Sequence, residues 1–460
     1  MLTHLIEFVY RLLWGDLFTL PVGGGIGISP MVVLLFTAGI WFTLAHPPAA
    51  GAAVPGYDRR RVRKTRTRRG FLLPDPGGVH RHPGGHGQPG GRGGGGSAGG
   101  AGAVFWMWVT ALLGASTSLS SPRWPRNTAS PTRSTAAGAA ARPTTCTHWL
   151  SVGAAKKLRH SVTAALFAVS GLICWCGISQ VISNSVSSAF QNAFHIPPLT
   201  TTLVLTALAA LIVLRKNATV KSLDVMVPIM AVCYFVLTVG ILVVNFRQLP
   251  AVLGRIFAEA FGLRQIAAGG FGAVLMNGVK RGLFSNEAGS GSAPCAAAAA
   301  ACDDPVKMGF VQALGVLIDT VVICSCTAFL MLLVPQDLTA GLSGMDLLQT
   351  AMQYHLGGFG TVFIAATLAL FSFSTFLGVL YYARSNVAYL CGDNWWSQTV
   401  YKLIALVMLL IGGLQAYTVV WDLGDVGIGL MTIFNMIALY PLSGEAMDAL
   451  NDYEKRKKLQ

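Results

Sequence analysis

A chain of 460 residues that is 53% hydrophobic and 11% charged, with a mean hydropathy of +0.57, has too little polar surface to coat a soluble globule, and an all-α polytopic membrane protein is expected. The net charge of +14 would suit a nucleic-acid partner, but fourteen Arg and Lys against two Asp place +12 of it in residues 46–150, so the rest is nearly neutral and no nucleic acid is expected. GGRGGGG at 90–96 lacks the Lys-Ser/Thr of a phosphate loop and there is no strand-turn-helix nucleophile motif, so the chain is not expected to be an enzyme.

In chain order, Leu2, Leu5, Ile6, Val9, Leu12 and Leu13 recur at helical spacing beside Glu7 and Arg11, which predicts a surface amphipathic helix; no cleavable signal peptide is expected. A first span near 29–45 completes an N-terminal part, 1–45. Residues 46–150 are rich in Gly, Pro, Arg, Ala, Ser and Thr and could not bury enough surface to fold alone, apart from a short apolar match at 102–114. A transmembrane core, 151–443, follows, with apolar runs near 161–188, 199–214, 223–245, 263–280, 306–334, 358–390, 398–418 and 426–442. The tail, 444–460, is basic. Short-loop cations at Lys156, Lys157, Arg159, at Arg215, Lys216, Lys221, and at Lys455, Arg456, Lys457, Lys458 fall on one side by parity of the spans, which predicts a cytoplasmic C-terminus.

Residues 277–294, NGVKRGLFSNEAGSGSAP, set a carboxylate, two amides, three serines and four glycines into apolar, membrane-length sequence. In a bilayer core every backbone polar group needs a partner inside the protein, so glycine-broken helix with ionisable groups persists only where it is buried or lines a cavity. Gly289 and Gly291 would unwind the chain beside Asn286, Glu287 and Ser292, the pattern of a discontinuous helix that holds a substrate and its coupling ion. A cytoplasmic loop with incidental charges is the plainer alternative.

Nine cysteines include the pairs Cys174/Cys176 and Cys324/Cys326 inside apolar spans, where positions i and i+2 point to different helix faces; packing is expected rather than metal binding. His80, His82 and His86 lie in glycine-rich text without supporting carboxylates or thiols, and no metal is expected there.

GVKRGLFSNEAGSGSAP at 278–294, followed by an alanine run and QALGVLIDTVVICSCTAFLMLL at 312–333, resembles the signature of the sodium:alanine (alanine/glycine:cation) symporter family. GAVFWMWVTALLG at 102–114, LFSFSTFLG at 370–378 and VWDLGDVGIGLMTIFNMIAL at 420–439 agree, and the resemblance is continuous from about residue 152 onward. It implies a leucine-transporter-type fold of two inverted five-helix repeats, about 9–11 transmembrane helices in all. The implied activity is sodium-coupled import of alanine or glycine across the cell inner membrane, by a monomer in the lipid bilayer with no enzymatic cofactor.

By the same resemblance, Ser285, Asn286, Glu287, Ala288, Gly289, Gly291 and Ser292 match the unwound middle of the second repeat's broken helix, whose backbone groups would meet the substrate's carboxylate and ammonium. Glu287 is either a charge partner or the organiser of that turn. Ser374 and Thr375 match hydroxyls that give oxygen ligands to sodium, with helix packing as the alternative. Gln180 and Asn184, at i and i+4, match a polar patch turned toward substrate, or else glue two helices together. Asp319 is expected to pair with a neighbour.

Two features depart from the family pattern. Val379 stands where relatives carry a tryptophan, which would reshape the pocket. GHGQPGGRGGGGSA occupies 85–98, where the first broken helix and its GTGNIAG core are expected. Because the expected spacing is roughly kept across unmatched text, 46–101 and 115–150 are read as products of shifted reading frames. Two other readings stay open: a non-transporting protein that keeps the scaffold, and a tethered binder of nucleic acid or anionic lipid through Arg59–Arg69.

Overall fold

The computed structural model describes residues 2–20, 26–45, 100–120, 162–214, 223–261, 271–292, 305–441 and 443–458. Most of the basic segment, with its histidine tract and the expected first broken helix at 85–98, lies outside these residues, as do Lys156, Lys157, Arg159, Arg215, Lys216 and Lys221.

The amphipathic pattern forms α1, Leu2–Trp14, which buries Leu13 and Trp14 and leaves Glu7 and Arg11 exposed together with Leu5, Phe8 and Leu12. A two-stranded hairpin follows, β1 (Phe18–Leu20) antiparallel to β2 (Ile26–Ile28), with Thr19 opposite Gly27. Next come α2 (Pro30–Ala45), α3 (Gly102–Ser120), α4 (Val162–Phe194), α5 (Pro198–Val213), α6 (Leu223–Val244), α7 (Leu249–Phe261) and α8 (Phe271–Asn286). Then α9 (Pro305–Leu317) runs through a π-helical stretch, Ile318–Cys324, into α10 (Ser325–Leu332). The chain closes with α11 (Gln336–Thr339), α12 (Gly344–Leu356), α13 (Gly358–Cys391), α14 (Trp395–Gly412), α15 (Tyr417–Leu439) and α16 (Ser443–Lys458).

Among the described residues six helices are long and apolar enough to cross a membrane: Gly102–Leu119, Val162–Phe194, Val306–Leu332, Gly358–Cys391, Trp395–Gly412 and Tyr417–Leu439. Ile229–Val244 and Phe246–Phe261, bent by 72°, make a seventh if counted as one span. The protein is thus an all-α polytopic membrane protein. Two apolar runs are shorter than a full span, since α2 and α5 have 16 residues each, about 24 Å at 1.5 Å per residue.

Some boundaries differ from those read in the sequence. The run expected at 426–442 begins at Tyr417, because Asp422 and Asp425 sit inside the helix rather than in a loop. The run expected at 398–418 stops at Gly412, with Gly413 as its cap. The apolar match at 102–114 extends to Ser120, its extra hydroxyls bonded back to the helix: Ser116 Oγ donates to Leu113 O and Thr117 Oγ1 to Gly114 O. The run at 263–280 is described only from Phe271 and continues to Asn286.

Small residues set the helix crossings. Gly427 of α15 lies directly on the backbone of Cys174 in α4, and Gly177 of α4 on that of Gly424, so the two helices approach with nothing between them. Gly278 and Gly282 seat α8 on α3 in the same way, against Ala103, Trp106 and Thr110. The N-terminus of α3 is capped from α7, where Glu259 Oε2 accepts from the Ala101 amide at 2.5 Å while Arg255 holds the other oxygen at 2.7 Å. One apolar core, including Phe167, Trp175, Leu283, Phe284, Val379 and Trp421, surrounds the C-terminal half of α8.

Candidate functional site

Helix α8 stops inside the protein. Glu287 takes a left-handed conformation at φ 51, Gly289 follows at φ 90 and Gly291 at φ 95, and helical geometry resumes only at Ser292. A glutamate in that region is strained and needs surroundings that enforce it. They are present. The Glu287 amide still donates to Leu283 O at 2.8 Å and its carbonyl accepts from the Ser290 amide at 3.1 Å and Ser290 Oγ at 2.8 Å. Its carboxylate accepts from Ser292 Oγ across the break. The residue therefore organises the unwound turn with both its backbone and its side chain.

Other groups fix the two edges of the break. Asn286 Oδ1 accepts from the Ala288 amide at 2.9 Å, replacing a lost helical bond, while its Nδ2 donates to Thr320 Oγ1 at 3.2 Å. Ser285 Oγ donates to Asp319 Oδ2 at 2.5 Å and lies 3.1 Å from Cys324 Sγ. Asp319, Thr320 and Cys324 all belong to the π-helical stretch, whose wider turn brings them onto the face toward α8. Ala288 rests against Gly114 of α3, and Gly289 against Met436 of α15.

The break is thus built from Ser285, Asn286, Glu287, Ala288, Gly289, Gly291 and Ser292 with Asp319, Thr320 and Asn435 around them. The remaining residues singled out in the sequence stand elsewhere. Gln180 Nε2 lies 3.1 Å from Met408 Sδ, and Asn184 Nδ2 donates to Gly412 O at 3.2 Å and Gln415 O at 2.9 Å, so both amides engage α14 and the loop after it. Thr375 is buried in α13 and its Oγ1 has no hydrogen-bond partner among the described residues; Ser374 beside it is half-buried. A buried hydroxyl oxygen without a donor suits a hard cation. The segment that would face it at 85–98 lies outside the described residues.

One electrostatic feature was not anticipated from sequence. Lys280 Nζ and Arg281 Nη2 share Asp425 Oδ2 at 2.8 and 2.9 Å, one to two turns before the break. Lys280 also donates to Tyr10 Oη at 2.5 Å and lies 5.7 Å from the centre of the Trp14 ring, and Arg281 lies 4.6 Å from that of Trp421. Trp14 Nε1 donates to the Asp425 carbonyl at 3.1 Å, so α1 closes the cluster from outside.

The model of the sodium:alanine symporter family matches residues 96–460. The probable sodium/glutamine symporter GlnT of Bacillus subtilis is 37% identical over 77% of this chain and 73% of its own length. The sodium/alanine symporter AgcS of Methanococcus maripaludis is 31% identical over 77% of this chain and 78% of its own. The uncharacterised transporter YaaJ of Escherichia coli is 32% identical over 98% of this chain and 93% of its own. With a glycine-broken, acid-bearing helix at its centre, the chain belongs to the sodium:alanine symporter family, and is a sodium-coupled amino-acid symporter rather than an enzyme.

Proposed function

We propose that the protein imports a small neutral amino acid, alanine or glycine, together with sodium across the cell inner membrane, as a monomer with its C-terminus in the cytoplasm. The break at 285–292 carries this reading. It offers unwound backbone and the C-terminal end of α8 inside the protein, where a dipolar substrate can satisfy groups that lipid cannot. Sodium is held at Ser374 and Thr375 on α13 and stabilises the substrate-competent shape. Helices α8 and α9–α10 belong to a leucine-transporter-type bundle whose rocking switches access.

The test is uptake of a panel of labelled amino acids into proteoliposomes under an inward sodium gradient, with a proton gradient as the second arm. Alanine or glycine uptake driven by sodium is expected once the reading frame across 46–101 and 115–150 is restored, and little or none from the chain as written. A frame-restored chain that reaches the membrane yet takes up none of the panel would overturn the proposal in favour of a scaffold that has lost transport. A C-terminal reporter active only in the periplasm would overturn the orientation.

A further inference from the structure

Asn435 lies in the interior of α15 and is completely buried. Its Nδ2 donates to the Gly289 carbonyl at 2.6 Å, a group that the unwinding at φ 90 has removed from any helical ladder. Its Oδ1 has no hydrogen-bond partner among the described residues. A Cβ built on Gly291 would come 2.9 Å from that oxygen and equally close to the Phe167 ring, so Oδ1 lies against the bare Cα of Gly291, inside the break. On the same turn the Glu287 carboxylate takes the Ser292 hydroxyl. The break therefore holds an amide oxygen against Gly291 beside the Phe167 ring and a carboxylate on the Ser292 hydroxyl, with apolar Met436 against Gly289.

Burying an amide oxygen without a donor is unfavourable unless something else supplies one, and oxygens in apolar surroundings attract a positively charged group. We infer that Asn435 has two roles at the site. Its amide nitrogen positions the break through the Gly289 carbonyl, and its Oδ1 contacts the cationic group bound there, either the ammonium of the amino acid or the coupling cation. The inference rests on the proposal that 285–292 is the substrate segment, and it adds α15 to the helices that line the site. Only Gly at 289 and 291 permits the arrangement, since both positions combine positive φ with close neighbours.

The experiment uses the full chain in proteoliposomes, with sodium chloride titrated at saturating alanine and alanine titrated at saturating sodium. Sodium- and alanine-dependent thermal shifts of the purified protein give a second readout. Asn435→Ala should raise one half-saturating concentration roughly tenfold, the scale of one lost charge-assisted hydrogen bond. Asn435→Asp keeps an oxygen at Oδ1 but cannot donate to Gly289. It should recover most of the lost affinity in the sodium arm if the oxygen faces the cation, or in the alanine arm if it faces the ammonium. If either variant fails to insert, Asn435→Ser, which keeps a shorter oxygen, replaces it in the comparison. Aspartate and alanine variants that behave alike in both titrations would show that the oxygen meets no ligand and overturn the inference while leaving the transport proposal standing. A chain with Asn435 intact and its frame restored across 46–101 and 115–150 that responds to neither ligand would overturn both.

Discussion

Lys280 Nζ stands 2.8 Å from Asp425 Oδ2 with both side chains at most 1% exposed, and Arg281 approaches the same oxygen at 2.9 Å. One carboxylate therefore serves two cations inside the protein. Removing one member of a buried ion pair costs about 3–5 kcal/mol because the other is left uncompensated. Asp425→Asn strands two cations and should lower the thermal midpoint in detergent sharply. Lys280→Met leaves Arg281 with its partner and should cost much less. Equal losses would show that Lys280, held by Tyr10 and Trp14, is the member that matters.

In a version of the protein with an intact first broken helix, Gly289→Val should abolish uptake while the protein still reaches the membrane, because φ 90 excludes a β-branched residue and the new side chain would strike Met436. Gly240→Ala is the control: a Cβ there meets nothing within 4 Å, and in a helix interior the change should be neutral or slightly stabilising. Asn286→Ala removes both the cap on the Ala288 amide and the tie to Thr320, and should likewise abolish uptake. Normal uptake by either Gly289→Val or Asn286→Ala would mean that the unwound turn is not part of the site.

In the same version, Ser374→Ala and Thr375→Val should raise the sodium concentration for half-maximal uptake, with alanine affinity measured at saturating sodium much less affected. An unchanged sodium dependence in both would reduce these hydroxyls to helix packing.

Glu259→Gln should destabilise the protein by roughly 1 kcal/mol, since it weakens the charged cap on the α3 amide and the pair with Arg255, a cost read as a lower thermal midpoint. No shift would mean that the α7–α3 contact is held by its aromatic rings alone, among them Phe105 with Phe261 at 4.7 Å.

Resequencing the coding DNA tests the reading of 46–101 and 115–150. Translation of the other two frames across these intervals should give an apolar span and a GTGNIAG-like core. If neither frame does, a Gly/Pro/Arg-rich insert belongs to the protein, and the substrate site must be completed without that core.

Much of this was legible because apolar runs and glycine pairs are local signals. The spans at 162–194, 305–332 and 358–391 and the break at Gly289 and Gly291 follow from residues adjacent in sequence. What was misread or left open depends on partners far along the chain. The start of α15 looked like a loop because Asp422 and Asp425 lower any local hydropathy average, and only the fold shows that Lys280 and Arg281, about 140 residues earlier, neutralise Asp425. Gln180 and Asn184 share a helix face, but which helix meets that face is a tertiary fact, and it is α14. Asn435 did carry a signal, as an isolated amide in the apolar run IFNMIAL, and such residues inside a membrane mark function.

The π-helical stretch fixes a phase between two attachments. At its start, Asp319 answers Ser285 on the broken helix; just past its end, Ser325 Oγ accepts from Trp108 Nε1 on α3 at 2.6 Å. Each α-helical residue advances the face by about 100°, so trimming one residue from Ile318–Cys324 to regularise the helix would rotate everything beyond it by that angle. Ser325 would swing away from Trp108 or Asp319 away from Ser285. The span tolerates exchange of one apolar residue for another far better than a change in its length, and a single-codon deletion here should be more harmful than most substitutions around it.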